Sequence, residues 1–144
     1  MSPQIDILIV EDNLNDIRLI KRALQKTDLE PQIYIAKDGV EALEFIDNYF
    51  DDPEHTKLPK LILLDLKLPR LDGLELLEKI KNNIDWAHLP VIIMTSSNET
   101  VDIKRAYKLG VNSYLVKPVN YEDFYETIKE LTHYWLKINL TARN

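Results

Sequence analysis

The sequence predicts an α/β domain with a five-stranded parallel sheet covered by helices on both faces. Three observations carry that expectation. Short runs of Val, Ile and Leu alternate with longer amphipathic segments, the pattern of strands joined by crossover helices. The runs are continuously apolar, as strands buried on both faces are. The chain of 144 residues is long enough for one domain with a proper core and too short for two comfortable ones.

Each element has a local reason. Ile5–Val10 is β-branched and bounded by loops, hence a strand. Leu14–Thr27 carries Ile17, Ile20 and Leu24 at helical spacing. Gln32–Ala36 is a second strand, and Gly39–Tyr49 a helix with Val40, Leu43 and Ile46 inward. Lys60–Asp65 is a third strand. Asp72 can cap a helix bearing Leu74, Leu77 and Ile80. Pro90–Thr95 is a fourth strand, and Glu99–Leu109 a helix ended by Gly110. Ser113–Val116 is a fifth strand, and Tyr121–Ile138 a long last helix. Tyr121, Phe124, Ile128, Leu131 and Trp135 form its expected core-facing stripe. Tyr125, Tyr134 and Ile138 fall partly outside it. The polar connection Phe50–Lys60 reads as a surface loop.

Composition narrows the function. Net charge is −6 with no basic block, which argues against nucleic-acid binding. Cysteine is absent, so disulfides and thiolate metal sites are excluded. The polar start Met1-Ser2-Pro3-Gln4 leads straight into a strand. No apolar stretch is long enough to span a membrane, and a cytoplasmic chain is expected. His55, His88 and His133 lack metal-ligand spacing. No glycine-rich phosphate loop is present.

The strand ends carry the chemistry. Ligands of open α/β sheets bind beyond the carboxyl ends of the strands. There Ile5–Val10 runs into Glu11-Asp12, and Leu61–Leu64 into Asp65. Val91–Met94 runs into Thr95-Ser96, and Tyr114–Val116 into Lys117-Pro118. Three acids crowded together repel and raise one another's pKa, a penalty that a bound cation removes. Oxygen donors of this kind suit Mg²⁺. A carboxylate beside a metal can attack phosphorus and form an aspartyl phosphate. Thr95 can donate to a phosphoryl oxygen, and Lys117 can pair first with a carboxylate and then with the phosphate. A cis peptide before Pro118 would aim the lysine inward, but the sequence leaves the isomer open. Simpler readings exist for single residues. Asn13–Asp16 can merely start a helix whose dipole the acids complement, and Tyr114 can be a half-buried strand aromatic.

Together these motifs resemble the receiver domain of two-component response regulators over nearly the whole chain. They are Val10-Glu11-Asp12-Asn13, Leu64–Pro69 with Asp72-Gly73, Pro90–Ser96 and Tyr114–Pro118. The resemblance implies a flavodoxin-like (βα)5 fold with strand order 2-1-3-4-5. It implies a single receiver domain over 1–144 with no output domain. It further implies that Asp65 takes a phosphoryl group from a phosphohistidine on a sensor kinase. Glu11, Asp12, Asp65 and the backbone carbonyl of Lys67 would hold Mg²⁺. Thr95 and Lys117 would contact the phosphoryl group, and Tyr114 would be the switch aromatic.

Details look like the small stand-alone regulators paired with bacteriophytochrome-type sensor kinases. These are the loop before the third strand, Asn13 and Asp16 after the acidic pair, and the extended last helix. Receiver domains often pair through the fourth and fifth strand-helix units, so a homodimer through that face is expected. Lys67 departs from the small or neutral residue common there, and bears on phosphate lifetime. Two other readings compete with a signalling switch. One is an aspartate-nucleophile phosphotransferase or phosphatase, which would want a second acid where Lys67 stands. The other is a receiver-like adaptor never phosphorylated, which would lack an acid, Thr95 or Lys117.

Overall fold

The computed structural model describes residues 5–48 and 58–140. Five parallel strands lie in the order β2-β1-β3-β4-β5. They are β1 Ile7–Val10, β2 Ile33–Ala36, β3 Leu61–Leu64, β4 Val91–Thr95 and β5 Ser113–Val116. Helices α1 Leu14–Gln25, α2 Gly39–Asn48, α3 Gly73–Asn82, α4 Thr100–Lys108 and α5 Tyr121–His133 alternate with them.

The apolar runs are continuous because alternate residues serve two cores. Leu8, Val10, Ile62, Leu64, Val91 and Ile93 pack with α2, α3 and α4 residues. Ile7, Ile9, Leu61, Leu63, Ile92 and Met94 pack with α1 and α5 residues. The central strands β1, β3 and β4 are buried throughout, while β2 and β5 at the sheet edges are partly exposed.

Local signals fix the ends. Asn13 caps α1 by accepting from the Asp16 N–H at 3.0 Å, and Asp72 caps α3 by accepting from the Leu74 N–H. Beyond α4, Gly110 takes φ +101°, the left-handed geometry that ends a helix.

Three expectations need correction. Phe124, Ile128 and Leu131 face the core, but Tyr121 is 53% exposed. As the first residue of α5 it lies beside α1, and its hydroxyl accepts from Arg22 Nη1 at 2.9 Å. The last helix also changes character: Tyr134–Ile138 is a π-helical turn, closed by the Asn139 N–H on the Tyr134 carbonyl. Most elements are one or two residues shorter than their apolar patterns, although backbone bonds such as that from the Asp65 N–H to the Val10 carbonyl continue past the strand ends. The expected surface loop 50–60 falls mainly on residues 49–57, outside the described residues, as do Met1–Gln4 and His55.

Candidate functional site

Strand register builds the site. Val10 pairs with Leu64, and Leu64 with Ile93, so β1, β3 and β4 end side by side. The Asp65 N–H donates to the Val10 carbonyl at 3.0 Å, carrying the ladder one step past β3. The Glu11 N–H does the same toward Ala36 at 3.0 Å. Both acids are therefore held by backbone bonds where the strands stop.

Glu11, Asp12 and Asp65 each offer a carboxylate oxygen, and these atoms lie within 4.8 Å of one another. Glu11 is 3% and Asp65 8% exposed, while Asp12 is open to solvent. Buried carboxylates are retained only when paired or when they coordinate a cation. The donor set, all hard oxygen, fits a hard divalent ion with an open side for water.

Lys117 supplies the internal cation. Its Nζ lies 2.6 Å from Glu11 Oε1, 2.7 Å from Asp16 Oδ2 and 3.1 Å from Asp65 Oδ2. The Lys117 N–H donates to the Thr95 carbonyl at 2.7 Å, which ties the lysine to the end of β4. The peptide to Pro118 is trans, so this backbone bond, rather than a cis turn, holds the lysine's main chain.

Burial pushes the Glu11 carboxyl up to about 7, with the Lys117 hydrogen bond opposing and the Asp65 charge adding to it. Burial alone would lower Lys117. Its hydrogen bonds to Asp16 and Glu11 outweigh that and hold the ammonium above its ordinary range.

The remaining predicted residues lie around this centre. Thr95 is fully buried at the end of β4, and the Ser97 N–H reaches its hydroxyl at 3.5 Å. The Tyr114 hydroxyl donates to the Ser97 carbonyl at 2.9 Å, which turns the ring toward the β4–α4 loop. Burial raises the Tyr114 phenol. The Lys67 side chain is exposed, and its N–H approaches Asp65 Oδ1 at 3.4 Å. A cavity of about 550 Å³ lies beside the acids, between α1 and the start of α5. Asp16, Arg22, Ser96, Lys117, Pro118 and Tyr121 line it, and Asp65 does not.

Three participants escaped the sequence reading. Asp16 reads as a helix-start acid, yet it holds Lys117. Ser97 Oγ donates to Asp102 Oδ2 at 2.6 Å and so ties the β4–α4 loop to α4. Arg70 makes two 3.0 Å hydrogen bonds to Asp38 and clasps the loops after β2 and β3. Asp16 left only its spacing from Asn13, with no hint of Lys117, and Arg70 stood as a lone Arg among the loop residues.

The response regulator receiver domain family matches residues 7–129. The chain belongs to that family. As a receiver, it is 39% identical to the probable methanogenesis regulatory protein FilR2 of Methanothrix harundinacea, over 92% of this chain and 84% of FilR2. It is 36% identical to the response regulator Rcp1 of Synechocystis, over 94% and 92%. The phosphorylated cyanobacterial phytochrome response regulator RcpA superimposes with TM-score 0.87 at 33% identity, over 96% of this receiver and 99% of RcpA. The Mn²⁺-bound form of Rcp1 gives TM-score 0.87 at 35% identity, over 97% and 99%. The expected fold and family are borne out, including the likeness to phytochrome response regulators. Among the described residues no helix is long and apolar enough to cross a membrane.

Proposed function

We propose that this receiver is a phosphoryl-accepting switch in which Asp65 is the acceptor. The observation that carries the reading is the convergence of Glu11, Asp12 and Asp65 under a lysine that pairs with two of them. In the transfer, an Asp65 carboxylate oxygen bonds to phosphorus as the P–N bond of a kinase phosphohistidine breaks. The imidazole leaves with the electron pair and takes up a proton. Mg²⁺ held by Glu11, Asp12, Asp65 and the Lys67 carbonyl would offset charge on the phosphoryl oxygens. Lys117, drawn from Asp65, pairs with one of those oxygens. Thr95 donates its hydroxyl to another.

The output is a change in protein binding. Thr95 and Tyr114 both meet Ser97, so movement of the threonine alters the backbone that the tyrosine holds. The donor we propose is a sensor histidine kinase, phytochrome-like by analogy with RcpA. We propose a second copy of this chain as one binding partner. Val101 and Tyr107 of α4, Val116 of β5, and Tyr134 and Ile138 after α5 are all exposed on the units beside Tyr114. Sedimentation velocity with and without phosphorylation tests the dimer, and a monomer in both states at high concentration would remove it. The receiver-domain match over residues 7–129 favours this switch over a phosphotransferase or phosphatase.

Intact-mass analysis tests the acceptor. Wild type with acetyl phosphate and Mg²⁺ gains one phosphoryl adduct, and Asp65→Asn gains none. An equal adduct on both proteins contradicts the assignment.

A further inference from the structure

Lysine has three ammonium N–H donors and no acceptor. The three carboxylates on Lys117 match that number. Two of them, Glu11 and Asp65, also belong to the acid cluster suited to a cation. Asp16 does not.

Its backbone setting explains why Asp16 is available. In a capping box, the side chain three residues after the N-cap returns to the N-cap N–H. Asn13 does cap the Asp16 N–H, at 3.0 Å. The return bond is missing, because the Asn13 N–H goes to Glu11 Oε2 at 3.3 Å. The Asp16 carboxylate therefore reaches across to the residue that follows β5, Lys117, at 2.7 Å. The pair is well shielded, with side chains 11% and 23% exposed, so salt screens it less than a surface pair.

We propose that Asp16 is a positioning residue for phosphoryl transfer, acting through Lys117. It anchors the lysine over the site once Glu11 and Asp65 are engaged by a cation and a phosphoryl group. This rests on the reading of Asp65 as acceptor and Lys117 as phosphoryl contact. In the metal-free receiver Asp16 is redundant, since two other carboxylates hold the ammonium. In the loaded receiver Glu11 would be shared with the cation, and one Asp65 oxygen would be bonded to phosphorus. Asp16 is then the lysine's carboxylate partner. One ammonium proton stays on it, and the other two are free for phosphoryl oxygens. Without that anchor the four-carbon stem regains its rotamers, and the charge is no longer pre-aimed.

The test compares Asp16→Asn, Asp16→Glu, Lys117→Ala and the Asp16→Asn/Lys117→Ala double variant. The rate of adduct formation from acetyl phosphate is read by intact mass at saturating Mg²⁺. Asp16→Asn slows it about tenfold, roughly one charge-assisted hydrogen bond of positioning. Asp16→Glu recovers most of the rate. In the Lys117→Ala background Asp16→Asn adds nothing, as expected of residues acting through one another. A second readout needs no chemistry. The ¹⁵N signal of the Lys117 ammonium is followed in metal-free protein and with Mg²⁺ and beryllium trifluoride. Asp16→Asn keeps the signal metal-free and loses it when loaded. An unchanged rate and signal, or equal slowing without Lys117, overturns the proposal while wild-type adduct formation leaves Asp65 standing as acceptor. No adduct on wild type removes both.

Discussion

Gly73 packs directly on the backbone of Asp65: a Cβ at position 73 would lie 2.4 Å from the Asp65 carbonyl oxygen and 2.5 Å from Leu66 Cα. The Gly73 N–H bonds to the Leu66 carbonyl at 2.9 Å, so α3 begins against the segment that carries the acceptor. Backbone cannot yield as a flexible side chain does. Gly73→Ala should therefore cost about 3 kcal/mol or more by overpacking. Urea denaturation measures it, and a loss under about 1 kcal/mol would mean that the loop after β3 shifts freely.

The elevated Glu11 carboxyl gives cation binding a pH dependence. The ion needs the carboxylate, which forms as pH rises through about 7. Calorimetric Mg²⁺ affinity should rise through that region and level off above it, and Glu11→Gln should abolish the rise. The stability sign is opposite. The folded state holds the Glu11 proton more tightly, so this group's stabilisation is full below 4.5 and is lost as pH rises through about 7. Flat Mg²⁺ affinity across neutral pH would remove Glu11 from the ligand set.

Asp65→Asn should stabilise the metal-free protein. Lys117 keeps Glu11 and Asp16 as partners, and the Asp65 charge that disfavours Glu11 ionisation is gone. A gain of about 1 kcal/mol corresponds to a melting shift of roughly 2–4 °C for a domain of this size. Scanning calorimetry without Mg²⁺ is the check. A lowered midpoint would show that the 3.1 Å contact to Lys117 outweighs the repulsion.

Arg70 adopts φ 66°, unusual for a side-chain-bearing residue, and the clasp to Asp38 accompanies it. The Glu41 N–H, and then Arg70, hold the Asp38 carboxyl below its usual range. A depressed carboxylate stabilises the fold above its unfolded pKa of 3.8, and that contribution is lost as pH falls through the folded value. Asp38→Asn should thus lower the urea midpoint at neutral pH, with the difference from wild type shrinking at about pH 3. A constant difference would assign the effect to something other than the charge.

Much of this was legible because strand burial leaves a strong mark. A run such as Leu61–Leu64 needs apolar groups at every position, so a carboxylate at its end stands out. Glu11, Asp65, Thr95 and Lys117 were visible for that reason. Asp16 was not, because an acid in the first turn of a helix is already explained by the helix dipole. Its pairing with Lys117 spans 101 positions and depends on how α1 meets β5. Tyr121 misled in the other direction. Helical spacing continues to the first residue of α5, but the hydrogen bond to Arg22 leaves its ring exposed.

The central claim is that the phosphoryl group resides on Asp65 as an acyl phosphate. Borohydride reduces an acyl phosphate of aspartate to homoserine, which marks the site permanently. The receiver should be phosphorylated with acetyl phosphate and Mg²⁺, reduced, digested and sequenced by tandem mass spectrometry. Homoserine at position 65, dependent on Mg²⁺, is the expected result. Homoserine at position 12 or 16, or an adduct on a histidine, would contradict the account.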